Sequence, residues 1–339
     1  MNTLRRVLVA ASFASFSACG SDADVTLYVA LDQQHSEQLV RKFEEETGLS
    51  VHARYDTEAS KTVGLVSAII EEAQRPRCDV FWNNELAHTV RLGQKGLLTP
   101  YESPSAKDIP ASFKDPEGRW TGFASRARVF IVNTDLLPDP AERPTSLMDL
   151  VDPKWKGRCA VAKPLTGTTL THFAALRGVL GEAKYAEFVE GLFANEVVFL
   201  QSNGATMRET AAGKFAFALT DTDDYHVAKT KGHPVTCVFP DQGEGHMGTM
   251  LIPNSIAIVA GGPHPDAAKK LVDWVLSERT EALLAAAKSA QIPVRASVKG
   301  PTDPTILSIG AFHALDWDPE ATARQLEPTS REFSARFER

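Results

Sequence analysis

The sequence is poor in the features that mark most enzymes and all chains with membrane-spanning helices. Its 339 residues hold four cysteines and no Cys-x-x-Cys pair, so no thiolate zinc centre is encoded. No Gly-x-Ser-x-Gly, His-Glu-x-x-His or Walker A stretch occurs. Gly243, Gly245 and Gly248 match the dinucleotide spacing by letters only, since they precede the apolar run MLIPNSIAIV instead of joining a strand to a helix. The histidines are scattered without ligand spacing; His35, His88 and His226 read as surface or capping residues. Glycine and proline are dispersed, so no flexible linker divides the chain. Basic charge is also short: the formal net charge is −7, which argues against nucleic acid as a partner. Beyond residue 18 no apolar run is long enough to cross a bilayer as a helix.

What is present begins with an export signal. Arg5 and Arg6 precede an uncharged apolar run over 7–18, too short to span a membrane. The following Phe16-Ser17-Ala18-Cys19-Gly20 resembles a bacterial lipobox, with Phe16 where an aliphatic residue is usual. The expectation is a signal peptide over 1–18, a lipidated Cys19, and a spacer over 19–24; simple cleavage with loss of Cys19 is the alternative. Removal of residues 1–18 takes away two arginines and no acid, moving the charge from −7 to −9. Export would permit one disulfide among Cys78, Cys159 and Cys237, with Cys159 and Cys237 the better placed pair, although three buried free thiols are preferred.

The mature region alternates strand and helix patterns. VTLYVA (25–30) and VHARY (51–55) read as strands, as does CDVFW (78–82), and helical periodicity occupies 36–47 and 59–73 between them. This rhythm implies a parallel sheet with packed helices. The long extended stretch GFASRARVFIVN is suited to carry the chain from one lobe into another. Past Asp152 the rhythm restarts. The expected fold class is α/β: two lobes with a ligand cleft between them. Lobe 1 would span 25–124, lobe 2 125–252, a return to lobe 1 253–300, and a C-terminal helical segment 301–339.

In order along the chain, DVTLYVALD, FEEETGLSV, CDVFWNNE, GFASRARVFIVNT, DPKWKGR, KPLTGTT, SNGATMRETAAGKFAFALTDTDD and PHPDAAKKLVDWVLS are similar to segments of the ferric-ion type of extracellular solute-binding protein. That family is the periplasmic component of iron(III) ABC importers. The resemblance implies a type II periplasmic-binding-protein fold hinged on crossing strands, a non-catalytic role, a permease partner and a monomer. Family members hold ferric iron with paired tyrosines, a histidine and an acid, plus an anion. Here the tyrosine positions match Asp223 and Asp224, the histidine position Asp32, and the acid position Asn84 with Glu85 beside it. Carboxylates therefore stand where phenolates are expected. Both are hard oxygen donors that suit Fe³⁺, but carboxylates suit Ca²⁺, Mg²⁺, Mn²⁺ or an organic ammonium equally.

A second group points to an anion. Thr166-Gly167-Thr168 lies between a strand and a helix, where free amides and hydroxyls suit an oxyanion; Asn203, Asp221 and Arg126 add polar groups. Each of these residues also has a plain structural reading. Asp221, Asp223 and Asp224 could cap a helix over 225–230, Asp32 the helix at Ser36, and Asn84 or Glu85 the helix near Leu86. One cap explains one aspartate, not three. The leading expectation is a lipid-anchored solute-binding protein taking ferric iron, or another hard cation, with a phosphate- or carbonate-like anion. A small organic solute such as an aminophosphonate or polyamine is the alternative. A secreted metal-dependent hydrolase is the remaining one.

Overall fold

The computed structural model describes residues 23–30, 33–56 and 62–338. The expected sites at Cys19 and Asp32 lie outside them. Ten strands run β1 (Val25–Val29), β2 (Val51–Tyr55), β3 (Val80–Asn83), β4 (Leu98–Thr99), β5 (Thr121–Asn133), β6 (Cys159–Ala162), β7 (Val198–Leu200), β8 (Phe217–Asp221), β9 (Val235–Val238) and β10 (Leu251–Val259). They follow the order β2-β1-β3-β10-β5-β8-β6-β7, with β4 beside β10 and β9 beside β5.

One strand changes partners halfway. Residues 121–127 of β5 pair antiparallel with β10, while Arg128–Val132 pair antiparallel with β8. This produces two sheets and two lobes on a shared strand. In the first lobe β1 lies parallel to β2 and β3; in the second β6 lies parallel to β7 and β8. Each sheet is covered on both faces, as parallel sheets require. Side chains alternate accordingly. Val25, Leu27 and Val29 join Phe43 and Trp82 on one face, and Tyr28 joins Leu65, Ile69 and Phe81 on the other. In the second lobe Phe130 and Val132 pack with Phe217 and Leu219, while Val129 and Ile131 pack with Ala218 and Tyr225.

The helices that matter for the cleft are α3 (Ala87–Gln94), α4 (Gly167–Leu180), α6 (Asn203–Ala211), α7 (Thr222–Thr230) and α10 (Pro319–Phe337). The expected helix over 225–230 starts earlier, at Thr222, because Asp223 and Asp224 in its first turn favour the positive end of the dipole. Among the described residues of the expected helical segment over 301–339, the helix present is α10. It straddles both lobes: Ala323 sits in the first lobe's core and Phe333 in the second's, with Leu326 between Ala87 and Leu170. His88, expected at the surface, is buried in α3, where lack of solvent holds its pKa below the usual imidazole value. Cys78, Cys159 and Cys237 are free thiols.

Candidate functional site

In the second lobe β6, β7 and β8 each end at the start of a helix, so the N-termini of α4, α6 and α7 converge at one edge of the sheet. The carboxyl ends of parallel strands are the usual ligand position in open α/β sheets. The convergence is fastened by a buried polar cluster. Arg128 Nη1 donates to Asp221 Oδ1 at 2.6 Å and to Thr168 Oγ1 at 3.3 Å, and Nη2 donates to Thr169 Oγ1 at 3.1 Å. Thr168 Oγ1 donates to Asp221 Oδ2 at 2.6 Å. Asn203 Nδ2 donates to both Thr168 and Asp221, and its Oδ1 accepts from Thr169 Oγ1 at 2.9 Å. Burial alone would raise the Asp221 pKa. The charges of Arg128 and Arg126 and the Thr168 hydroxyl outweigh it and leave the carboxyl below its ordinary range.

Three residues expected to meet an anion are therefore engaged with one another: Thr168, Asn203 and Asp221 tie β5 and β8 to α4 and α6. Arg128 and Thr169 were missed from the sequence, although Arg128 stands two residues from Arg126, on the same pleat face of a strand. What remains open at the edge is Thr166, half-buried and making no side-chain capping bond, followed by Gly167 at φ 61° with open space over its Cα.

The acids separate in the same way. Glu85 departs from its expected place among cargo ligands. It is fully buried, and its carboxylate accepts from Asn83 Nδ2, the amides of Ala87 and His88, and Thr171 Oγ1 at 2.7–3.0 Å. It caps α3 and links that helix to α4. Asn84 is also occupied: Oδ1 accepts from Thr62 Oγ1 at 3.1 Å, and its carbonyl accepts from Arg126 Nη1 at 3.0 Å. Asp223 and Asp224 are half-buried. Asp224 Oδ2 accepts from Thr220 Oγ1 at 2.8 Å, and Asp223 Oδ1 from the Asp224 amide at 3.1 Å. One carboxylate oxygen from each of Asp221, Asp223 and Asp224 lies within 4.8 Å of the others.

Arg126 completes the edge. It pairs in register with Ile252 of β10, so its backbone belongs to the first lobe's sheet. Its Nη2 donates to Asn254 Oδ1 at 3.3 Å, and its Nε faces Asp223 Oδ2, on the second lobe's α7, at 3.5 Å.

Two α/β lobes on a shared crossing strand, with a polar edge where helix N-termini meet, define a two-lobed ligand-binding protein of the periplasmic type. The chain belongs to the bacterial extracellular solute-binding protein family, whose pattern matches residues 38–306. It is 26% identical over 322 residues to iron uptake protein A1 of Synechocystis, a match covering 92% of this chain and 86% of that one. It superposes on iron-bound HitA from Pseudomonas aeruginosa with a TM-score of 0.81 at 25% identity, over 91% of this chain and 98% of that one. It is also 25% identical over 238 residues to a putative 2-aminoethylphosphonate-binding periplasmic protein of Salmonella typhi, covering 69% and 67% of the two chains.

Proposed function

We propose that this protein is the solute-binding component of an ABC importer, without catalytic activity, and that its cargo is a hard cation, ferric iron first, carried with an oxyanion. The observation that carries the reading is the pair of half-buried carboxylates Asp223 and Asp224, with one oxygen of each within 4.8 Å of the other and of the Arg128-bound Asp221, beside helix N-termini at the lobe junction. Asp223 and Asp224 supply oxygen donors of the kind hard cations prefer. Thr166, the amides after it and Arg126 supply donors for the anion. The names of the iron-related relatives point the same way. Cargo that touches both lobes binds the closed form better than the open one and shifts the population toward it. The closed monomer then docks on a membrane permease. Export and acylation of Cys19 would keep it at the membrane surface, with the change of lobe falling inside β5, between Ala127 and Arg128, where its pairing passes from β10 to β8.

A second reading has its own support. One edge holding Arg126 next to two half-exposed acids also fits a zwitterion with an oxyanion at one end and an ammonium at the other, and one relative is named for an aminophosphonate. A thermal-shift panel on the metal-stripped mature chain separates the two, since a ligand selective for the folded state raises Tm by mass action. The panel would be Fe³⁺ with and without phosphate, Mn²⁺, Ca²⁺, spermidine and 2-aminoethylphosphonate. Stabilisation by Fe³⁺ that the Asp223→Ala, Asp224→Ala double variant abolishes is the expected result. Stabilisation by an organic solute alone overturns the cation reading in favour of the second.

A further inference from the structure

α10 is fastened to both lobes, and its attachments divide at one residue. Up to Glu327, its polar partners elsewhere among the described residues belong to the first lobe. Gln94 Nε2 donates to the Glu320 carbonyl at 3.0 Å, Arg119 faces the Glu320 carboxylate at 3.5 Å, and Arg91 faces Glu327 at 3.6 Å. From Thr329 onward they belong to the second. Arg177 donates to Thr329 Oγ1 at 3.5 Å and pairs with Glu332 at 3.3 Å, Ser330 Oγ donates to the Leu165 carbonyl at 3.5 Å, and Arg336 pairs with Glu190 at 2.7 Å. The apolar contacts follow the same rule, with Ala323 in the first lobe's core and Phe333 in the second's. Between the two sets stands Pro328, inside a helix of 19 residues. A proline there has no N–H to offer the carbonyl four residues back, and its ring crowds that carbonyl. The Arg324 carbonyl therefore lacks its helical donor, and sharp bends in helices fall at such places.

The surroundings leave room for a bend. Away from the cleft, the first half of α10 stands off the second half of α4 across a groove of about 410 Å³, lined by Ala174, Ala175 and Gly178 on α4 and by Ala321, Thr322 and Gln325 on α10. One turn nearer the cleft on α4 the lobes touch directly. There Thr171 Oγ1 donates to Glu85 Oε2 at 2.7 Å, and Leu326 fits between Ala87 and Leu170. We propose that α10 is a further connection between the lobes, a strap that flexes at Pro328 as they rotate about the point where Glu85 meets Thr171. Each half of the helix travels with the lobe that holds it, and the groove takes up the change in angle. A helix unbroken at 328 would have to give up a backbone hydrogen bond, or its attachments to one lobe, for the same rotation.

The strap rests on the proposed closure of the lobes around cargo, and its test keeps the two apart. Glu45→Cys in the first lobe and Lys231→Cys in the second, both at exposed positions, would carry spin labels that report the interlobe distance by pulsed electron resonance. The mature chain would be measured alone, with Fe³⁺ plus phosphate, and with 2-aminoethylphosphonate. Pro328→Ala gives residue 328 an N–H for the Arg324 carbonyl, so whichever lobe arrangement bends α10 forfeits that bond. The population of that arrangement should fall about fivefold relative to the parent, equivalent to about 1 kcal/mol for one net hydrogen bond. Gly178→Ala is the control. Its Cβ would meet nothing within 4 Å, and it should raise Tm by favouring the helix while leaving the distances as they are. Two distances in the parent whose proportions Pro328→Ala leaves unchanged, even with a higher Tm, mean that the proline is structural only, and they overturn the strap while the closure reading stands. A single interlobe distance in the parent under every condition overturns the closure reading and the strap with it.

Discussion

Replacing Asp221 with Asn tests whether the Arg128 cluster is scaffold. The change is isosteric but removes the carboxylate charge paired with Arg128, whose side chain is 0% exposed. Arg128 Nη1, Thr168 Oγ1 and Asn203 Nδ2 all donate to this carboxylate, so an amide nitrogen on either side would face a donor. Breaking a buried ion pair from one side costs about 3–5 kcal/mol, because the other charge stays buried without compensation. At about 2–4 °C per kcal/mol for domains of 150–250 residues, a loss of ~6 °C or more in Tm is expected. The pH dependence has a defined sign. A carboxyl held below its ordinary value stabilises the fold fully above the unfolded-state pKa of about 3.9, and that contribution disappears as pH falls through the lowered folded value. The gap between parent and variant should therefore be widest near neutrality and close in acid. Joint replacement, Arg128→Met with Asp221→Leu, removes both charges and should cost at least about 2 kcal/mol less than the sum of the two single changes. Urea unfolding at pH 7 and in steps below about pH 3.9 measures all of this. A single-variant cost below about 1 kcal/mol, or strict additivity, would refute the view that this cluster holds the three helix starts together.

Two further outcomes are expected. Gly248 has φ 89°, and a Cβ there would lie 2.8 Å from the backbone of Ala314 and Leu315, whereas Gly310 has φ 87° with nothing within 4 Å. Both Gly→Ala changes incur the left-handed penalty of about 1–2 kcal/mol, but Gly248→Ala should cost more, by differential scanning calorimetry, and equal losses would contradict the close approach of Gly248 to the backbone at Ala314 and Leu315. Burial pushes the thiols of Cys159 and Cys237 up to about 12 and that of Cys78 well upward. With almost no thiolate at pH 8, these three should resist a disulfide-exchange reagent until urea is added; prompt labelling of Cys78 or Cys159 in the native state would be inconsistent with their burial.

The lobes were legible in the sequence because period-two burial writes itself into residues such as Val25, Leu27 and Val29, and because helices of ordinary length separate the strands. GFASRARVFIVN also advertised its role by its unbroken extended run, and with Thr121 it forms thirteen consecutive buried positions, which a strand shared by two sheets requires. The site was only partly legible, and for one physical reason. A sequence shows which side chains are polar, not which are already satisfied. Glu85 looks like a ligand until its four donors are seen, and Asp221 until Arg128 is found opposite it. Arg128 itself was overlooked because it lies far along the chain from Asp221 and Thr168, and only the pairing of β5 with β8 brings them together. His88 shows the converse, a polar residue placed in α3 with no partner for either ring nitrogen among the described residues.

The distinction between fully buried and half-buried acids constrains the cargo. Of the acids expected at the cleft and described here, Glu85 and Asp221 are buried within the scaffold, while Asp223 and Asp224, partnered by Arg126 and Thr220 among others, stay half-buried at the edge. Two carboxylates offer four oxygens at most, and geometry so near to one another in the chain rarely permits both to bind through both oxygens. A hard cation takes about six. Under the proposed function, the described residues cannot fill the coordination shell of a bare ion, and the cargo's own oxyanion has to complete it from the Thr166 and Arg126 side. The cation should then be retained as a complex. Native mass spectrometry of the loaded protein should show the metal and an oxyanion together, and dialysis against anion-free buffer should release the metal as well. A protein that keeps the metal alone, with no accompanying anion mass, would mean that donors other than Asp223 and Asp224 complete the shell, and the division drawn here between scaffold and ligand acids would have to be redrawn.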